Sequence, residues 1–140
     1  MYAIDTNVAS ELMRPAPAAA VAAWVAKQNA GDLVLTAISE AELRYGVAIV
    51  PAGRRRNELE AAMTRWLEVG FGGRILPFDS DAARHYANIA SGRRRAGRPI
   101  GEADCQIAAI CRSRGAALVT RNIRDFKDTG IEIINPWAEE

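Results

Sequence analysis

The chain has 140 residues, one domain's worth of polypeptide and enough to bury a sizeable core. Hydrophobic residues make up 49% and charged residues 25%, which excludes a disordered or fibrous chain. Formal net charge is +1, from 18 basic and 17 acidic side chains, which excludes a uniformly basic, non-specific nucleic-acid binder.

A short apolar run, Tyr2-Ala3-Ile4, opens the chain. Neither a basic segment nor a long apolar stretch accompanies it, so no export signal is expected and the cytoplasm is the default compartment. Asp5 follows, with Thr6 or Asn7 starting a helix. Val21, Trp24 and Val25 mark one helical face, and Leu33-Val34-Leu35 is the next apolar run. Leu43, Val47 and Val50 mark a second helical face. The run Arg54, Arg55 and Arg56 precedes a helix in which Leu59, Met63, Trp66 and Leu67 form an i, i+4, i+7, i+8 stripe. Ile75-Leu76 comes next. Ala82, Tyr86, Ile89 and Ala90 then share a helical face, and that helix ends in Arg93, Arg94 and Arg95. A last helix carries Ala103, Ile107 and Ile110, and the runs Ala117–Val119 and Ile131–Ile134 close the pattern. Stop signals stand between them at Pro51 and Gly53, Gly70 with Gly72 and Gly73, Gly97 with Pro99, Gly115, and Gly130. No apolar run reaches the roughly 18 residues of a membrane span.

Most of the short runs are continuous rather than alternating, as in strands covered on both faces. Strands alternating with helices predict an α/β sandwich with a mostly parallel sheet. In such sheets ligands bind beyond the carboxyl ends of the strands, where strand order reverses. The two cysteines, Cys105 and Cys111, are too few for a disulfide framework or a zinc site. They read as small core residues on different faces of a helix. His85, the single histidine, reads as a packing or surface residue. Trp24 and Trp66 fall on apolar stripes and read as core.

Four acids fall near the predicted strand ends. Asp5 follows the first strand, Glu42 lies one turn into the helix after the second, and Asp104 lies in the first turn of the helix before the fourth. Asp125 comes shortly after the fourth strand, behind Thr120, Arg121 and Asn122. Each has a purely structural alternative. Asp5 fits a helix N-cap, and Ser39 with Glu42 fits a capping box. Asp104 complements a helix dipole, and Asn122 fits the cap of a short helix. Capping, however, does not require several acids to converge on one edge of a sheet. Converging carboxylates oppose each other's ionisation, and a divalent cation offsets them. An all-oxygen set without His or Cys prefers Mg²⁺ or Mn²⁺. No glycine-rich loop follows the first strand, which argues against a dinucleotide site.

The segments YAIDTNV, ISEAELRYGV, GRPIGEADCQIAAIC and ALVTRNIRDF resemble a PIN domain, and specifically the VapC-like ribonuclease toxins of type II toxin–antitoxin pairs. The resemblance covers essentially the whole chain. It implies a three-layer α/β/α sandwich with about five strands, and a single PIN domain over 1–140. It also implies a Mg²⁺- or Mn²⁺-dependent endoribonuclease. The family's three metal-binding acids match Asp5, Glu42 and Asp104; one Mg²⁺ or Mn²⁺ is expected on Asp5 and Asp104, with Glu42 helping through water or as base. A fourth polar position, acidic in some members, falls on Asn122. Asp125, three residues on, either supplies the missing charge or faces solvent. Thr6 matches a hydroxyl position beside the first acid, where it holds water or phosphate or satisfies the helix start; Thr120 has the same two readings. Attack by water would leave 5′-phosphate and 3′-hydroxyl ends.

An acidic site that admits RNA needs basic walls. Arg93, Arg94 and Arg98 are expected as phosphate contacts, with a solvated helix boundary as the alternative. Arg54–Arg56 reads as solvated or partner-facing. The resemblance further implies a VapB-like antitoxin seated in a groove, a homodimer, and heterotetrameric or hetero-octameric complexes. Alternative functions are another Mg-dependent phosphoester hydrolase, a DNA nuclease, or a weakened PIN domain that acts as a binding module.

Overall fold

The computed structural model describes residues 1–138. β1 (Tyr2–Ile4) leads into α1 (Thr6–Leu12) and α2 (Ala19–Ala26), and a 3-10 turn at Ala30–Asp32 precedes β2 (Leu33–Thr36). Next come α3 (Ala37–Ala48) and α4 (Arg54–Arg65), which runs into a π-helical turn at Trp66–Gly70. β3 (Ile75–Leu76), α5 (Ser80–Arg95), α6 (Glu102–Arg114) and β4 (Ala117–Val119) follow. A 3-10 turn at Ile123–Phe126 and β5 (Ile133–Ile134) complete the order.

The strands form one sheet in the order β3-β2-β1-β4-β5, and every neighbouring pair is parallel. The expected α/β/α sandwich is therefore present, with a sheet that is parallel throughout. Strand side chains sort by their period of two. Ala3, Val34, Leu76 and Leu118 pack on one face against Ile89 of α5 and Ile107, Ile110 and Cys111 of α6. Ile4, Leu33, Leu35 and Val119 pack on the other against Val8, Val21, Trp24, Leu43 and Met63 of α1 to α4. Ile107 and Ile110 are almost wholly buried, and each contributes about 1.5–3 kcal/mol of burial energy. Gly115 ends α6 in the left-handed conformation, φ 67°, which lets the chain turn directly into β4.

Cys105 and Cys111 are both fully buried, as the small core residues they were read to be, on a helix covered by the sheet and by α5. Three expectations are corrected. Arg54–Arg56 forms the first turn of α4 rather than preceding it. β5 is limited to Ile133–Ile134, and Ile131 packs instead against the α5–α6 core. The cap of α3 is Thr36, whose hydroxyl accepts from the Ser39 N–H at 3.1 Å. No capping box forms at Ser39, and the Glu42 carboxylate is free for another partner.

Strand order reverses between β1 and β4. β2 and β3 lie on one side of β1, while β4 and β5 lie on the other. The carboxyl ends of β1 and β4 are thus the crevice where such sheets bind ligands.

Candidate active site

Asp5 leaves β1 at this crevice. Its N–H continues the strand pairing to the Val119 carbonyl at 2.9 Å, and its Oδ1 caps α1 by accepting from the Thr6 N–H at 2.9 Å. Oδ2 accepts from the Thr120 hydroxyl at 2.7 Å and from Asn7 Nδ2 at 3.3 Å. Asp5 is only 5% exposed. Desolvation raises its pKa above the ordinary carboxylate value, helped by the charge of Glu42. The bonds from Thr120, Thr6 and Asn7 pull the other way. Capping and site geometry are therefore served by the same carboxylate, one oxygen each.

Glu42 projects from α3 toward α1, where its Oε1 accepts from the Thr6 hydroxyl at 2.7 Å. Its side of α3 is exposed. Asp104 stands in the first turn of α6, half-buried. Its pKa is raised to about 6, first by desolvation and then by the charges of Asp5, Asp125 and Glu42; Arg93 partly offsets this. Four carboxylates from four chain segments thus act on one edge of the sheet.

Among the described residues, no three of these groups close around a single point as a ready-made ligand set. Like charges repel, and Asp5 and Glu42 are turned onto neutral donors instead. The donor set still fits a hard divalent cation: the cluster is all oxygen and mutually repulsive, and among the described residues Asp104 has no cation in direct ion-pair contact.

Asn122 is exposed, and its N–H donates to the Thr120 hydroxyl at 3.1 Å. The negative charge that acts on Asp104 from this segment is that of Asp125. Thr6 and Thr120 differ in role as well. Thr6 ties Glu42 to the start of α1, whereas Thr120 is fully buried and orients Asp5.

Arg93 is corrected. It was expected to contact substrate, but it is buried, and its guanidinium is spent on main-chain carbonyls. Nε donates to Arg98 O at 2.7 Å, and Nη1 donates to Asp125 O and Lys127 O, both at 3.0 Å. A side chain with its donors so used fastens the end of α5 to the loop that carries Asp125. Arg98 is half-exposed and ion-paired with Asp128, and Arg94 is exposed. Sequence reasoning missed Asn7 as a site residue. Its amide donates to Asp5 and to Thr120, and its Oδ1 accepts from the Arg121 N–H at 3.2 Å. The available signal was its place directly beside Asp5 and Thr6.

A groove of about 690 Å³ runs from this edge between α1, α3 and α4. Thr6 and Glu42 stand at its site end, and Met13, Leu43, Val47 and Leu59 supply apolar lining.

Residues 2–132 match the PIN domain family. VapC ribonuclease Y4jK of Sinorhizobium fredii is 42% identical, over 98% of each chain. Toxin FitB of Neisseria gonorrhoeae is 39% identical, over 99% of this chain and 100% of its own. The solved structure of FitAB bound to an IR36 DNA fragment matches with a TM-score of 0.92 at 38% identity, across 100% of this chain and 98% of the other. Among the described residues, no helix is long and apolar enough to cross a membrane. With the acids at the switch point of a parallel β3-β2-β1-β4-β5 sheet, the chain belongs to the PIN-domain family, alongside the VapC ribonucleases and FitB.

Proposed function

We propose that this chain is the endoribonuclease toxin of a type II toxin–antitoxin pair, dependent on Mg²⁺ or Mn²⁺. It would hydrolyse RNA phosphodiester bonds to 5′-phosphate and 3′-hydroxyl ends. The observation that carries this reading is geometric: Asp5, Glu42, Asp104 and Asp125, from four chain segments, act on one another at the switch point of the sheet. A cluster of mutually repelling carboxylates is matched to a positive ligand. Asp5 and Asp104 would hold the cation, with Glu42 and Asp125 at its margin.

When bound, the cation supplies charge neutralisation at the phosphoryl group and lowers the pKa of a coordinated water. The chain's own residues do the rest. Thr120, Thr6 and Asn7 fix the rotamer of Asp5, so that it is positioned before substrate arrives. Glu42 is exposed and steadied by Thr6, and would accept the proton of the attacking water. This route leaves the RNA 2′-hydroxyl unused.

The groove between α1, α3 and α4 supports the antitoxin part of the reading. An amphipathic antitoxin segment would lay apolar side chains against Leu43, Val47 and Leu59, and extend a basic side chain toward Glu42. The solved FitAB structure bound to a DNA fragment, 38% identical to this chain, supports a toxin that works within a larger complex.

The direct test incubates the purified chain with RNA, DNA and a generic phosphomonoester, in Mg²⁺ and in EDTA. RNA cleavage that needs Mg²⁺ and Asp5, with 5′-phosphate ends, is the expected result. A 2′,3′-cyclic phosphate product would refute the mechanism. Cleavage of DNA or the monoester alone would refute the substrate.

A further inference from the structure

Strand pairing extends one residue past β4: the Thr120 N–H donates to the Ile134 carbonyl at 2.9 Å. The chain leaving β4 and the chain leaving β5 therefore emerge side by side at the carboxyl edge of the sheet. Arg121 leads the first and Trp137 lies in the second. Trp137 is anchored twice. Its main-chain N–H donates to Asn135 Oδ1 at 3.0 Å, and its partly buried side chain packs against the core cluster that includes Ile4 and Val119. The guanidinium carbon of Arg121 stands 4.7 Å from the centroid of that ring. At its other end, the Arg121 N–H donates to Asn7 Oδ1, and Asn7 in turn donates to Asp5. One exposed arginine is thus fixed at both ends beside the acidic cluster.

Stacking engages the flat face of a guanidinium and leaves its in-plane N–H edge available for two parallel bonds to a phosphate. The anchored ring also lowers the entropy lost when the side chain binds. Two arginines expected in this role are already committed, Arg93 to three carbonyls and Arg98 to Asp128.

We propose that Arg121, held on the Trp137 ring, grips a backbone phosphate of the RNA strand next to the scissile bond. Trp137 acts as the positioning residue for that contact. The inference rests on the ribonuclease reading above and adds to it the residue that places the strand.

The test measures binding of a fluorescein-labelled single-stranded RNA at several salt concentrations, in an Asp5→Asn background that prevents cleavage. Arg121→Ala is expected to weaken binding about tenfold and to flatten the slope of log K against log salt by about 0.7, one phosphate contact. Arg121→Lys keeps the charge and should keep the slope, with an intermediate affinity. Thermal melting of the same variants separates a packing role. Arg121→Ala that melts lower yet binds with parental affinity and slope overturns the proposal. Wild-type protein that cleaves RNA, combined with an unchanged Arg121→Ala slope, overturns this inference alone. Wild-type protein that neither binds nor cleaves RNA overturns the ribonuclease reading and this inference with it.

Discussion

Replacing Asp104 with Asn removes one charge from a repulsive cluster, and the consequence for stability can be worked out. A carboxyl moved from 3.8 to about 6 corresponds to about 3 kcal/mol of differential interaction between its charged and neutral forms. Asp104 is partly open to solvent, so screening reduces this to about 1–2 kcal/mol. The charge also sits in the first turn of α6, where the helix dipole favours it by about 0.3–1 kcal/mol. The net expected gain from Asp104→Asn, without added metal, is about 1 kcal/mol, or about 3–5 °C in melting temperature for a chain of this length. The pH dependence has a defined sign. A carboxyl with a raised folded pKa stabilises the fold in its protonated form; that stability is complete below about pH 4 and is lost as pH rises through about 6. The variant's advantage should therefore appear near about pH 8 and vanish near about pH 4. Differential scanning calorimetry in EDTA across this range is the assay. A variant that melts at or below wild type near about pH 8 would refute the claim that the cluster is electrostatically strained.

Further outcomes are expected at neighbouring positions. Asp5→Asn should abolish cleavage of RNA while far-ultraviolet circular dichroism shows the fold unchanged. Thr120→Val removes the hydroxyl that orients Asp5, and should lower cleavage about 10–100-fold in a single-turnover assay, with little change in RNA affinity. Arg93→Ala should act on stability rather than on RNA binding. It strips three carbonyls of their donor, at a cost of about 2–4 kcal/mol, read from urea unfolding.

The layers were legible because they follow from periodicity. Continuous runs such as Leu33–Leu35 and Ala117–Val119 had to be strands buried on two faces, and the i, i+4 stripes between them had to cover those faces. Asp5 was legible for a related reason, as an acid immediately after the central strand. What the sequence hid depends on where side-chain donors go. Arg93, Arg94 and Arg95 look alike in a run, yet only Arg93 turns inward from α5 onto the carbonyls of the Asp125 loop. The helical phase that selects it is set by packing of α5 on α6. Ser39 and Glu42 matched a capping box in spacing, but Thr36, already in extended backbone at the end of β2, reached the helix start first. The meeting of Arg121 with Trp137 depends on β4–β5 register, which two-residue strands do not announce.

These carboxylates are proposed to bind a divalent cation used in RNA cleavage. Titration of the purified protein with Mn²⁺, followed by electron paramagnetic resonance of the free ion, measures it without substrate. Saturable binding by wild type, lost in both Asp5→Asn and Asp104→Asn, is the predicted result. Wild-type protein that takes up no Mn²⁺, yet cleaves RNA equally well in EDTA, would contradict it.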